Sequence, residues 1–172
     1  MKKLFALTAL LLFTGATYAQ KIGVKAGLNV TEARTNDAAE NKDLVPRAAF
    51  HAGVVGEFGL GKNLSLQPQL LFSGRGTREK HGDHDDVYAF HSLELPVNLL
   101  YRSAGKSGSF FIGGGPNLGY NLSGKVWETD APDDKTKIEF GSDAGQIRRM
   151  DLGFNALAGY ELNNGLFFSV NY

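Results

Sequence analysis

The sequence contains no cysteine, so neither a disulfide nor a lipid-modified N-terminal cysteine can hold or anchor the chain. After a short apolar run near the N-terminus, it also lacks the roughly 20 consecutive apolar residues that a membrane-spanning helix needs. Net charge is absent as well, because Lys+Arg and Asp+Glu each number 18. These absences exclude a disulfide scaffold and a helical membrane protein, and they give no basic surface for nucleic acid.

The N-terminus has the pattern of a secretory signal peptide. Two lysines and an apolar run from Leu4 to Phe13 precede small residues that end at Ala19. We therefore expect residues 1–19 to be a cleaved signal peptide and residues 20–172 to form one domain. Export without disulfides is typical of a bacterial envelope protein.

Glycine and aromatic residues are abundant, with 22 Gly, 12 Phe and 6 Tyr, which favours an all-β fold. From Phe50 to Ser73, two runs of alternating apolar residues flank a tight turn at Gly59 to Asn63, and a helix cannot produce this period of two. The same alternation recurs along the chain. It predicts seven strands: Ile22 to Val30, Phe50 to Leu60, Leu64 to Ser73, Tyr88 to Arg102, Phe110 to Leu122, Met150 to Leu162 and Leu166 to Tyr172.

The connections between these predicted strands alternate between long and short. Three connections are long and polar, namely Thr31 to Arg47, Gly74 to Asp86 and Ser123 to Arg149. The other three, which alternate with them along the chain, are tight turns. Outer-membrane barrels have short periplasmic turns and longer external loops in this way. The third long segment is predicted to contain a small hairpin around Val126-Trp127 and Ile138 to Phe140.

Aromatic residues on the apolar face fall near both ends of the strands, as the aromatic girdles of a membrane barrel do. The predicted girdle residues are Phe58, Tyr101, Phe110 and Tyr160 near the short turns, and Phe50, Phe72, Tyr120 and Tyr172 near the long loops.

A soluble lipocalin-like barrel alternates in the same way with its apolar face inward, so the period alone leaves that ligand-binding fold open. The second face is rich in glycine, which suits the cramped interior of a narrow barrel better than an open surface. We therefore expect the apolar face to contact lipid. Charges of both signs on the second face are predicted to pair across the lumen: Lys25, Glu57, Glu94, Arg102, Asp151 and Glu161.

Five segments resemble the small bacterial outer-membrane β-barrel family, whose members are described as porin-family proteins or outer membrane protein beta-barrel domains. They are GVKAGLN (23–29), FHAGVVGEFGLGKNLSLQPQLLFSGRG (50–76), LELPVNLLYR (93–102), FFIGGGPNLGYNLSG (110–124) and DLGFNALAGYELNNGLFFSVNY (151–172). The resemblance implies an antiparallel, up-and-down transmembrane barrel of the eight-stranded type in the bacterial outer membrane. With about seven strands predicted, we expect the chain to lack one loop and the last strand of such a barrel.

The implied partners are outer-membrane lipids and, during biogenesis, the outer-membrane assembly machinery. The alternating residues that end at Tyr172 resemble the terminal signal that this machinery reads. No external ligand is indicated.

Metal-ligand residue types cluster once, from His81 to Asp86. His81, His84, Asp85 and Asp86 are weak candidates for a divalent-ion site, but their spacing matches no closed site, and a solvated external loop is the preferred interpretation. We therefore predict no resident metal.

Barrel hydrolases place Ser, His and acidic residues at the external rim, which points to Ser73, His84, His91 and Asp86. These residues form no recognisable motif, so we predict that the protein is not an enzyme and needs no cofactor. The preferred function is a structural or surface-interaction barrel with three long external loops and a filled lumen. A narrow passive diffusion pore for small solutes is the main alternative.

Overall fold

The computed structural model describes residues 20–31, 43–82, 84–103, 105–141 and 146–172, so the predicted signal peptide and most of the first long connection lie outside the described residues. In this part of the chain no helix is long and apolar enough to cross a membrane. The strands are β1 (Gln20–Thr31), β2 (Leu44–Gly59), β3 (Leu64–His81), β4 (His84–Arg102), β5 (Gly108–Glu128), β6 (Thr136–Lys137), β7 (Met150–Leu162) and β8 (Phe167–Asn171).

The strands form one antiparallel sheet in the order β1-β2-β3-β4-β5-β7-β8, and the two-residue β6 pairs with β5. Each strand neighbours the next in sequence, so the connectivity is up-and-down, and the sheet curls into a half-barrel of seven strands. This confirms the predicted fold class, an antiparallel barrel of the eight-stranded type with about seven strands present.

Side chains span the side of the half-barrel between β1 and β8. No backbone ladder joins these two strands within the described ranges. Lys21 Nζ lies 2.8 Å from Glu161 Oε1 on β7, and Lys25 Nζ lies 3.4 Å from Asn171 Oδ1 on β8. The curl of the sheet therefore brings its first and last strands within reach of one long side chain.

The short connections are tight turns at one end of the sheet, as predicted. Leu60 N donates to Leu64 O at 2.8 Å, and Leu162 N donates to Leu166 O at 2.8 Å. In the second of these turns Gly165 has φ 87°, which the Asn-Gly pair can adopt without steric cost.

The prediction of a long loop from Gly74 to Asp86 is wrong, because β3 and β4 extend into this segment and pair with each other as a hairpin. The two strands remain paired as far as His81 opposite His84, and Gly82 in the turn has φ 56°. Polar residues fill both faces of this segment, so it carries no apolar alternation from which a strand could be recognised. We call this extension, residues 74–91, the polar ribbon.

Two other strands are also longer than predicted. β2 begins at Leu44 rather than Phe50, and β5 extends to Glu128 rather than ending at Leu122. Beyond the end of β7, β5 pairs with β6, with Lys125 opposite Lys137. This pairing confirms the small hairpin predicted within the third long segment.

Burial is inverted relative to a soluble protein. Leu95 and Leu99 on β4 are exposed, whereas Ser92 and Asn98 on the same strand are fully buried. The same pattern holds on the neighbouring strands, where polar side chains point to the concave side. The buried polar residues are His51, Ser65, Gln67, Gln69, Ser73, Thr77, Ser92, Asn98 and Asn121.

Candidate functional site

The concave side of the half-barrel, which we call the lumen, holds an ion cluster near the short turns. Arg102 Nε donates to Glu57 Oε1 at 2.9 Å, and Arg102 Nη1 lies 2.5 Å from Glu161 Oε2. These three side chains are only 12–16% exposed, so their charges are largely removed from water. One guanidinium therefore joins carboxylates from β2 and β7, which lie far apart in the sheet order.

Apolar side chains pack beside this Arg102 cluster. Leu100, Phe111 and Leu157 form the buried hydrophobic cluster of the lumen, and Phe167 packs against it. The Arg102 Cζ atom lies 5.0 Å from the centre of the Phe111 ring, at cation–π distance. Large side chains thus occupy the lumen near its short-turn end.

A second ion cluster lies nearer the long connections. Arg75 Nε is 3.1 Å from Glu94 Oε1, and Arg75 Nη1 is 3.8 Å from Asp151 Oδ2. Asn117 donates to Glu94 at 3.1 Å, and Asn121 donates to Asp151 at 3.1 Å. In this Arg75 cluster, one arginine joins carboxylates from β4 and β7.

Lys25 lies on the lumen face of β1, at the side of the half-barrel where β1 and β8 approach each other. Its ammonium donates to Gln69 Oε1 at 3.2 Å and to Asn171 Oδ1 at 3.4 Å. Gln69 in turn donates to Gln67 at 2.8 Å. Lys25 therefore belongs to an amide network rather than to an ion pair.

Sequence reasoning missed Arg75 and Lys21, which supply cations to the two clusters. Arg75 was assigned to a loop, although it is in step with Ser73 and so falls on the same face of an extended strand. Lys21 lies just before the first predicted strand and binds Glu161. The alternation places both on the lumen face when it is continued past Ser73 on the third predicted strand and back before Ile22 on the first.

The predicted girdle residues make several ring contacts. Phe110 and Tyr160 pack edge to face with ring centres 4.6 Å apart, and Phe50 and Phe72 lie 6.5 Å apart. Tyr120 is exposed, with Arg149 Cζ 5.8 Å from its ring centre. Phe58 is half-buried and lies opposite Leu66, and Tyr101 is exposed and lies opposite Ile112. Tyr172 is exposed and exchanges backbone hydrogen bonds with Ala156 in the middle of β7.

At the far end of the polar ribbon, β3 and β4 bring metal-ligand side chains together. The donor atoms of Glu79, His81 and Asp86 lie within 4.8 Å of one another, as do those of His84, Asp86 and Glu128. We call these five residues the tip cluster. Glu79 and Glu128 were not among the sequence candidates, because each lies on a strand extension that the sequence did not predict.

Tyr88 and Asp85 lie close to the tip cluster. Burial, followed by the charges of Glu79 and Asp86 and a hydrogen bond to Glu79, raises the pKa of Tyr88 above its usual value. Asp85, the fourth sequence candidate, forms a 3.7 Å ion pair with Arg78 and belongs to neither triad. Burial and the nearby carboxylates of Glu79 and Asp86 therefore all disfavour the ionised form of Tyr88.

The rim residues considered for hydrolysis are dispersed. Ser73 is buried in the lumen, where its Oγ accepts a 2.7 Å hydrogen bond from Asn29. His91 is exposed, with its ring stacked on Phe72 at 5.6 Å, and His84 lies at the tip of the ribbon. This arrangement orients neither histidine as a base toward Ser73.

The molecule has an apolar face turned outward, polar side chains enclosed by the curled sheet, and tight turns at one end. The family model described as Outer membrane protein beta-barrel domain matches residues 18–172. The chain belongs to this family. It is therefore an outer-membrane β-barrel protein, which confirms the family resemblance drawn from the sequence motifs.

Exposed leucine, valine and phenylalanine side chains cover the convex side of the protein, as they do in the outward-facing apolar band of an outer-membrane barrel. No curated protein and no solved structure matches the chain.

Proposed function

We propose that the protein is a non-conducting outer-membrane barrel with a structural or surface-interaction role. The observation that supports this most directly is the pair of arginine-centred clusters, each joining side chains from distant strands across the lumen. Barrels of about eight strands have interiors that side chains fill. A solute would have to separate the Arg102 ion pairs and move past Phe111.

The surface available for interaction is the end of the molecule with the long connections. There β3 extends past Ser73 to His81 and β5 extends past Leu122 to Glu128, beyond the strand ends that apolar alternation predicts. In an outer-membrane barrel this end faces outward, because the short turns lie in the periplasm. We propose export by the N-terminal signal peptide, insertion by the outer-membrane assembly machinery, and contact with outer-membrane lipids around the convex face.

Planar-bilayer recording of the full mature chain tests the closed lumen. We expect inserted protein to produce no steady conductance steps, because Arg75 and Arg102 extend across the lumen and are paired with carboxylates there. The folded state is checked first by heat-modifiable migration on a gel, folded against boiled.

Arg75→Ala combined with Arg102→Ala is the comparison variant for the recording. If that variant folds, we expect it to pass more current than the wild type, because neither side chain then extends across the lumen. Discrete, reproducible conductance of the wild-type chain would instead favour the narrow diffusion pore.

A further inference from the structure

We propose that the tip cluster binds one divalent transition-metal ion, with Zn²⁺ as the model ligand. The site lies at the end of the polar ribbon, away from the lumen, and does not depend on whether the barrel conducts. Its candidate ligands come from β3, β4 and β5 and form two triads that share Asp86, namely Glu79, His81 and Asp86, and His84, Asp86 and Glu128.

The strand register is the first argument for a bound cation. Glu79 is directly opposite Asp86 on β4, and Asp86 is directly opposite Glu128 on β5. Like charges at directly opposed positions destabilise a sheet. Within the described part of the chain, none of these three carboxylates forms a salt bridge with a lysine or arginine. A cation held between them removes the repulsion.

Two histidines next to this row of acids determine the kind of cation. His81 and His84 are directly opposite each other at the end of the hairpin, and their rings stack with centres 5.8 Å apart. His81 Nε2 lies 3.6 Å from Glu79 Oε1, and His81 Nδ1 lies 3.8 Å from Asp86 Oδ2. Imidazole together with carboxylate suits Zn²⁺ and its neighbours, whereas Ca²⁺ and Mg²⁺ take oxygen ligands alone.

The geometry is close to that of a metal site. Ligand atoms lie about 2.0–2.2 Å from Zn²⁺, so donors now within 4.8 Å of one another must each move on the order of 1 Å to bind. Side-chain rotation at the end of a ribbon allows such a movement. A shallow cavity of about 190 Å³, lined by Asp86, Glu128 and Asp134, adjoins the cluster and admits an ion with its remaining water.

Asp86 is the residue on which the proposal is tested, because it is common to both triads. The full mature chain, folded in detergent and stripped with a chelator, is titrated with ZnCl₂ in a calorimeter. We expect saturable binding of one Zn²⁺ per chain. Since the loss of a hydrogen-bond partner of a ligand already weakens metal binding by about 10–100-fold, we expect Asp86→Asn to weaken it by at least about tenfold.

Asp85→Asn is the matched control for charge, because its side chain pairs with Arg78 and lies outside both triads. His91→Gln is the control for imidazole, because that ring stacks on Phe72 away from the tip. We expect both variants to bind Zn²⁺ as the wild type does. Heat-modifiable migration is measured for every variant and shows whether the barrel is folded.

The double variant His81→Gln, His84→Gln separates a metal site from a row of acids that attracts any cation. We expect it to lose Zn²⁺ affinity, and we expect Ca²⁺ not to displace Zn²⁺ from the wild type. Absence of saturable Zn²⁺ binding would overturn the proposal. Binding that is unchanged by Asp86→Asn, or equal affinity for Ca²⁺ that does not depend on the histidines, would overturn it as well.

Discussion

Single charged residues in the lumen differ in how far they are removed from water. Arg102 is 16% exposed and binds two carboxylates that are 12–14% exposed, whereas Lys21 is 66% exposed. Both cations contact Glu161. A desolvated charge that loses its partner costs several kcal/mol, while an exposed pair contributes little because water screens it.

Replacing Arg102 with methionine is therefore expected to destabilise the barrel strongly. The variant leaves the buried Glu57 without a cation and Glu161 with only the exposed Lys21, which costs about 3–5 kcal/mol of the free energy of unfolding. Lys21→Met is the control and is expected to cost about 1 kcal/mol or less. Urea unfolding in lipid vesicles, followed by the fraction of heat-modifiable protein, measures both.

A double variant shows whether the cost comes from the orphaned carboxylates. Adding Glu57→Gln to Arg102→Met should recover part of the lost stability, because one uncompensated charge is removed. Equal effects of Arg102→Met and Lys21→Met would contradict the assigned burial of the Arg102 cluster.

At the level of elements, glycine determines how closely β4 and β5 approach each other. A Cβ built at Gly115 would collide with the carbonyl oxygen of Val97 on β4, and one built at Gly113 would collide with that of Leu99. The sequence indicated glycine in a cramped interior. It did not indicate which backbone the glycines approach, since that depends on the register between the strands.

Gly115→Ala is expected to reduce the folded fraction, because backbone atoms on β4 must move to accept the methyl group. Gly153→Ala is the matched control, because its new Cβ would meet no atom within 4 Å. Replacing glycine with alanine in a strand at a position with free space is otherwise neutral or stabilising by about 0.5–1 kcal/mol. The yield of heat-modifiable protein after refolding distinguishes the two, and an equal yield would show that β5 has room at Gly115.

The polar ribbon shows where pattern reading fails for an element. Apolar alternation predicted the strands only where lipid contacts one face, so the predicted end of β3 was Ser73 and the true end is His81. From Gly74 to His81, β3 carries no large apolar side chain, so this part of the strand has no apolar alternation that could be recognised. Sequence reasoning found His81, His84 and Asp86 of the tip cluster but missed Glu79 and Glu128, because these two lie on such extensions.

On the scale of the whole molecule, the convex surface is the apolar one, and lipid contact of this surface is a testable proposal. Leu95 is 47% exposed on the lipid side of β4, whereas Leu60 is exposed in a turn at the end of the barrel. An arginine on the lipid side costs about 2–4 kcal/mol near the bilayer midplane and about 0–1 kcal/mol near the interface. The loss in free energy of unfolding caused by one arginine substitution therefore indicates how deep that position lies in the bilayer.

Leu95→Arg is expected to lower the free energy of unfolding in vesicles by about 2–4 kcal/mol, and Leu60→Arg by about 0–1 kcal/mol. Urea titration of vesicle-inserted protein gives both values. A soluble barrel would tolerate arginine equally at the two exposed positions, so similar small costs would contradict a lipid-facing surface at Leu95.

The order of residues was sufficient to predict seven strands of the sheet, their tight turns and the apolar face that is turned outward. Each of these depends on local alternation and on the conformational preferences of a few residues, which any reader of the chain can see. Contacts between distant strands are different in kind. That Arg75 meets Glu94 and Asp151, or that Asp86 lies between Glu79 and Glu128, depends on register and on the curl of the sheet. Those are set by packing across the whole barrel, so they became visible only in the folded molecule.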